Sequence, residues 1–230
     1  MKKIAIFVEG QTEQYFTSEL VKQIFGEKKI AVEIQQFSGS VGRRNFTIIQ
    51  TATRTTATDY YFVIYNCCGD STVKSDIIEQ LPTLSKQSFS SVIGIRDAYP
   101  LTDIAKLKSS LAYGVPTHGI PIHIILAINE IEAWFIAEEL HYAKISPKLL
   151  ITSVNKIAEI DVTVDSTEIL HHPAETLKKI YNSVGVGYRK RKSEVQRTVH
   201  ALDYGNLYIE VRRRNDSLNE LLDCLDNSID

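Results

Sequence analysis

Apolar runs of strand length alternate with helical spacing along the first two-thirds of the chain. That alternation predicts an α/β protein built on a mainly parallel sheet flanked by helices, with a small helical cap at its C-terminal end. Three observations carry the prediction: near-continuous apolar runs that fit strands buried on both faces, stretches with an apolar residue every three or four positions between them, and a change of texture after Tyr142. Residues 1–142 are therefore read as one α/β domain, and residues 143–230 as a helical region sharing its core. With 230 residues and 43% hydrophobic side chains, the chain can fill a sizeable core.

The elements follow in order. Lys3–Val8 (KIAIFV) reads as a buried strand, ending at Glu9-Gly10. Thr12 suits an N-cap for a helix carrying Phe16, Leu20 and Ile24 that stops near Gly26. Ile30–Phe37 is a second strand, a glycine-bearing loop follows at Ser38–Gly42, and a helical stretch is expected over residues 44–55. Tyr60–Tyr65 (YYFVIY) is a third strand, followed by a helix to about Leu84. Ser91–Ile95 is a fourth, after which Pro100 opens a helix with Ile104, Leu107 and Leu111 at helical spacing. Ile120–Ile128 is the fifth, leading into a helix over Asn129–Glu138. Beyond it, Pro147 opens a short helix and residues 160–169 fit either a strand or a loop. Helices are expected over Pro173–Val184, with Gly185 as the stop, over Glu194–Leu202, and over Ser217–Leu225. The last carries a capping-box pattern, Ser217-x-x-Glu220, and an apolar stripe of Leu218, Leu221, Leu222 and Leu225.

Composition narrows the function classes. A net charge of -2 excludes binding of polyanions by the whole surface, so nucleic-acid contact requires a local patch. Adjacent Cys67-Cys68 and distant Cys224 give neither zinc spacing nor a disulfide framework, which fits a reducing cytoplasm. No run approaches the length of a membrane span.

Carboxylates recur where strands end: Glu9, Asp70, Asp97, then Glu130 and Glu132. In a parallel sheet those ends share one edge, and acids converging there without histidine or cysteine clusters suit a hard ion such as Mg²⁺ or Mn²⁺. Acids at strand ends also cap the following helix, a role open to Glu13 in the first turn and to Glu132 through Asn129-x-x-Glu132. Asp103 is either a further carboxylate for the same edge or a solvated helix residue. Between Tyr188 and Arg214 eight bases face three acids, a local +5. Arg189, Lys190, Arg191, Lys192, Arg212, Arg213 and Arg214 are the candidates for phosphate-backbone contacts, unless this is a solvated face that pairs internally with the acidic terminus.

Val8-Glu9-Gly10-Gln11-Thr12-Glu13 resembles the VEGxTE signature of Toprim domains in the version found in OLD-type nucleases and in related uncharacterised bacterial Toprim-like proteins. Asn129–Glu138 (NEIEAWFIAE) is similar to the EAW helix of that last group, as is the stretch from His172-Pro173 to Tyr188-Arg189-Lys190 to its C-terminal region. The resemblance implies a Toprim fold, Mg²⁺-dependent nuclease or phosphodiesterase chemistry, and service in bacterial defence against phage. By the same resemblance Glu9 and Asp97 are the catalytic candidates, with Glu9, Asp97 and Glu132 as the metal set. Asp97 matches the first aspartate of the family's DxD pair, while Tyr99 stands where the second would be. Two readings follow: a metal-dependent nuclease, or a degenerate Toprim domain that binds nucleic acid or a partner ATPase without cutting. Self-association is compatible with both.

Overall fold

A computed structural model describes residues 1–40, 42–69, 72–99 and 103–228. Asp70 and Pro100, singled out above, lie outside the described residues. The chain forms two compact units: Met1–Arg96 with Asp103–Leu126 and Asp223–Asp230, and Asp97–Thr102 with Ala127–Leu222.

The first unit carries a six-stranded sheet. Its strands are β1 (Lys2–Val8), β2 (Ile30–Ser38), β3 (Asn45–Gln50), β4 (Tyr60–Asn66), β5 (Ser91–Asp97) and β6 (Ile122–Ala127), arranged β3-β2-β4-β1-β5-β6. β1 pairs parallel with β4 and β5, and β2 parallel with β4; β3 runs antiparallel to β2. The expected α/β architecture with a mainly parallel sheet is thus present. β1 sits inside the sheet, and Ile4, Ala5, Ile6, Phe7 and Val8 are all fully buried, as an apolar strand covered on both faces must be. Phe7 stacks on Tyr65 at 4.5 Å between ring centroids, and Tyr65 on Phe37 at 5.5 Å.

Helices α1 (Gln11–Phe25), α2 (Val73–Lys86) and α3 (Ile104–Ala112) belong to this unit. The N-cap of α1 is Gly10 rather than Thr12, which lies inside the helix. Glu13 Oε2 accepts the Gly10 N–H at 2.9 Å, the capping role open to it from sequence. Asp103 caps α3 by accepting the Lys106 N–H at 2.9 Å, so it is neither a strand-end carboxylate nor a solvated position within the helix. Residues 44–55 are not helical: Asn45–Gln50 form β3, an edge strand with all six residues exposed, among them Phe46, Ile48 and Ile49. Arg44, just before it, donates from Nε and Nη2 to both oxygens of Asp76 at 2.8 and 2.7 Å, with the two side chains 6% and 0% exposed.

The second unit is helical. It holds α4 (Glu132–Ala137), α5 (His141–Ile145), α6 (Ile151–Ala158), α7 (Pro173–Asn182), α8 (Lys192–Ala201) and α9 (Tyr204–Ile209); α10 (Asp216–Asn227) begins in it. Pro147 lies in a turn, and the helix expected from it starts at Ile151. Residues 167–169 form a 3₁₀ turn, which removes the strand alternative there. The Ser217–Glu220 capping box does not cap α10, because the helix already includes Asp216. Ser217 Oγ instead accepts the Trp134 indole N–H at 2.9 Å and donates to Glu168. Trp134, Tyr142, Tyr181 and Tyr188 are the largest fully buried side chains of this unit. Among the described residues no helix is long and apolar enough to cross a membrane, and Cys67, Cys68 and Cys224 are free thiols.

Candidate metal centre

Two strand exits build the centre. Asp97 closes β5, and after β6 the chain turns through Ile128–Ile131 before α4. Backbone bonds tie the exits together: Ala98 N–H to the Ala127 carbonyl at 2.9 Å, and Tyr99 N–H to the Asn129 carbonyl at 2.8 Å. Asn129 sits at φ 62°, a left-handed conformation that asparagine adopts more readily than most residues, and its side-chain amide donates to the carbonyls of Glu168 and Leu170. It is therefore a turn residue, not part of a capping box with Glu132. The N-cap of α4 is Ile131, whose N–H donates to Asp97 Oδ1 at 3.0 Å.

This local wiring brings three carboxylates together. Asp97, Glu130 and Glu132 each offer an oxygen, and these oxygens lie within 4.8 Å of one another. Glu130 Oε2 accepts the Ala174 N–H at 2.9 Å, in the first turn of α7, where the helix dipole favours a negative charge. Glu132 is fully buried; its Oε1 accepts the Tyr188 hydroxyl at 2.8 Å, while Oε2 has no hydrogen-bond partner. Burial raises the Glu132 carboxyl above the ordinary range, as does the charge of Glu130, while Lys190 and the Tyr188 hydroxyl pull it down.

One cation already serves the cluster. Lys190 Nζ lies 3.0 Å from Glu132 Oε1 and 3.3 Å from Glu130 Oε1, with its side chain 39% exposed. Desolvation acts to lower its pKa, but the charges of Glu132, Glu130 and Asp97 win and hold it above the usual lysine value. The backbone at Lys190 is left-handed, φ 54°, a conformation that costs a non-glycine residue about 1–2 kcal/mol. Strained residues of this kind concentrate where a side chain must be held in one place.

The donor set fits a hard divalent ion. All three groups are carboxylates, the ligands such ions prefer, and a buried carboxylate oxygen without a hydrogen bond is a coordination position left over by the fold.

The residues chosen from sequence fall as follows. Asp97 and Glu132 come together, joined by Glu130, which sequence reading noted at a strand end without adding it to the metal set. Glu9 follows β1 in the first unit, where its carbonyl accepts the Gly69 N–H at 3.1 Å. Tyr188 and Lys190 as partners of Glu132 had no signal, since 56 and 58 positions separate them from it. Of the basic candidates, Lys190 is engaged with the acids. Arg212 donates to Asn219 Oδ1 at 2.8 Å, Arg213 pairs with Glu210 at 3.0 Å, and Arg214 pairs with Glu139 at 2.9 Å and donates to the Ala137 carbonyl. The internal pairing left open above therefore holds for these arginines, although the partners are not those of the acidic terminus for Arg213 and Arg214. Arg189, Arg191 and Lys192 are exposed.

No known family model matches the chain, and no curated protein is similar to it. Among solved structures, that of a proposed cell surface hydrolase from Lactobacillus plantarum WCFS1 aligns with a TM-score of 0.30 at 12% identity, covering 70% of this chain. This chain spans 64% of that protein, and at such a score the likeness bears on neither fold nor function.

Proposed function

We propose that the protein is a Toprim-type hydrolase of phosphodiesters that depends on Mg²⁺ or Mn²⁺, with Asp97, Glu130 and Glu132 holding the ion, and that it acts in phage defence. The observation that carries the reading is the buried, unpartnered Oε2 of Glu132 beside two further carboxylates. The VEGQTE motif supports it from sequence and supplies Glu9 as the general acid or base. A divalent ion there would neutralise charge on a phosphoryl group and increase the acidity of a bound water. The chain's own residues have separate tasks. Ile131 N–H orients Asp97, Ala174 N–H orients Glu130, and the Tyr188 hydroxyl fixes Glu132.

The test is hydrolysis of single-stranded and duplex DNA and RNA with Mg²⁺ or Mn²⁺, for the wild type and for Glu132→Gln and Glu9→Gln, with circular dichroism to show that each variant folds. Metal-dependent hydrolysis reduced at least a hundredfold in Glu132→Gln is expected, on the scale of losing a group that acts in the transition state. Full activity in folded Glu132→Gln refutes the metal assignment, and full activity in Glu9→Gln refutes the acid/base role.

A second reading is favoured by Lys190. Its ammonium lies against the carboxylates an ion would use, as a built-in counterion would in a Toprim domain that binds nucleic acid or a partner ATPase without cutting. Absence of any calorimetric signal at millimolar Mn²⁺ selects this reading.

A further inference from the structure

Beside the acid cluster the second unit has a pocket of about 500 Å³, within the range of small-ligand sites. Its lining is two-sided. Glu130 and Lys190 belong to the charged centre already described; Tyr99, His172, Lys178 and Arg189 do not. Tyr99 is 46% exposed, so its ring contributes little to any core. It is nevertheless fixed twice: its backbone N–H is bound to Asn129, and its ring meets His172 edge to face, with centroids 5.3 Å apart and planes at 71°. Neither the Tyr99 hydroxyl, the His172 imidazole nor the Arg189 guanidinium makes a hydrogen bond among the described residues. Lys178 is held only by an exposed pair with Glu175 at 3.0 Å, the kind worth least.

An ordered, exposed aromatic ring beside uncommitted donors recognises a ligand that is flat and apolar at one end and anionic at the other. A nucleobase attached to a phosphate meets both demands, since every base has a stacking face and phosphate is the anion that a planar guanidinium grips best. We propose that this pocket takes one unpaired nucleotide of a single strand, with its base stacked on Tyr99 and its phosphate met by Arg189 and Lys178. A base inside a duplex already has neighbours above and below, so the site discriminates for single strands. Tyr99, which interrupts the DxD pattern, thereby becomes a substrate-positioning residue instead of a lost ligand. The assignment deepens the phosphodiester reading and rests on it for its substrate class.

The experiment measures binding and stacking without turnover. A short single-stranded DNA carrying 2-aminopurine is titrated with wild type, Tyr99→Ala, Tyr99→Phe and Arg189→Ala, in Ca²⁺ and separately in EDTA, with the blunt duplex as comparison. Expected are quenching of 2-aminopurine by wild type and by Tyr99→Phe, loss of quenching and about tenfold weaker binding in Tyr99→Ala, and weaker binding with quenching retained in Arg189→Ala. Unchanged affinity and quenching in Tyr99→Ala overturn the site, as does duplex binding equal to single-strand binding. Stacking in EDTA without any hydrolysis in Mg²⁺ leaves this site standing while the enzyme reading fails; hydrolysis indifferent to Tyr99→Ala does the reverse.

Discussion

Replacing Lys190 by methionine tests the electrostatics of the centre most directly, because one side chain sets both the stability of the metal-free protein and the ease of metal entry. At 3.0 Å from Glu132, a unit charge pair is worth about 5 kcal/mol at the effective dielectric of a protein near its surface. The lysine side chain is 39% exposed, and solvent screening halves that figure to about 2–3 kcal/mol. A divalent ion seeking the same oxygens must overcome the ammonium, so its removal is expected to raise Mn²⁺ affinity about 30- to 150-fold. The metal-free variant, left with Glu132 buried near two other acids, is expected to lose about 2–3 kcal/mol of stability and to recover it when Mn²⁺ is added. Isothermal titration calorimetry gives the affinity, and urea unfolding with and without metal gives the stability. Equal or weaker Mn²⁺ binding in folded Lys190→Met refutes the idea that lysine and ion compete for these carboxylates.

Two further predictions concern the scaffold. Asp76→Asn leaves the Arg44 guanidinium without its buried partner and is expected to cost about 3–5 kcal/mol in urea unfolding, whereas the double change Arg44→Met, Asp76→Leu costs less; a single-mutant loss below about 1 kcal/mol contradicts this. Glu138 governs the acid limb of stability. Burial pushes its carboxyl up, but hydrogen bonds from His141, Asn206 and the Asp203 N–H, with the charge of His141, bring it below the ordinary glutamate value. A carboxyl lowered in the folded state contributes stability above its unfolded pKa and loses it as the pH falls through the folded one. Urea stability measured downward from pH 5 is therefore expected to fall less steeply in Glu138→Gln than in wild type, and parallel slopes would remove Glu138 from the acid response.

The sheet was largely legible in the sequence because strands buried on both faces are written as continuous apolar runs, and β1, β4 and β5 are such strands. β3 was not, for the opposite reason. Asn45–Gln50 is exposed on every residue, so no alternation marks its face, and its edge position comes from pairing with β2, which local spacing does not encode. α4 hid its true start because Glu132–Ala137 is buried all round and has no polar stripe to phase it. At the centre, Asp97 and Glu132 were legible as acids at strand exits. Lys190 and Tyr188 were not, since nothing local connects Tyr188-Arg189-Lys190 to acids more than fifty positions earlier.

The place of β1 within the sheet has a kinetic side. Its partners are Tyr60–Asn66 and Ser91–Ile95, so neither neighbour exists when β1 leaves the ribosome. At about 5–20 residues per second, the second edge of β1 waits on the order of 5–20 s for β5. Over that interval Ile4-Ala5-Ile6-Phe7-Val8 is an unpaired apolar strand, the segment on which a chaperone or another nascent chain would close first. Refolding yield of the full-length chain therefore falls with concentration for a reason that the finished protein, with β1 covered on both edges, no longer displays.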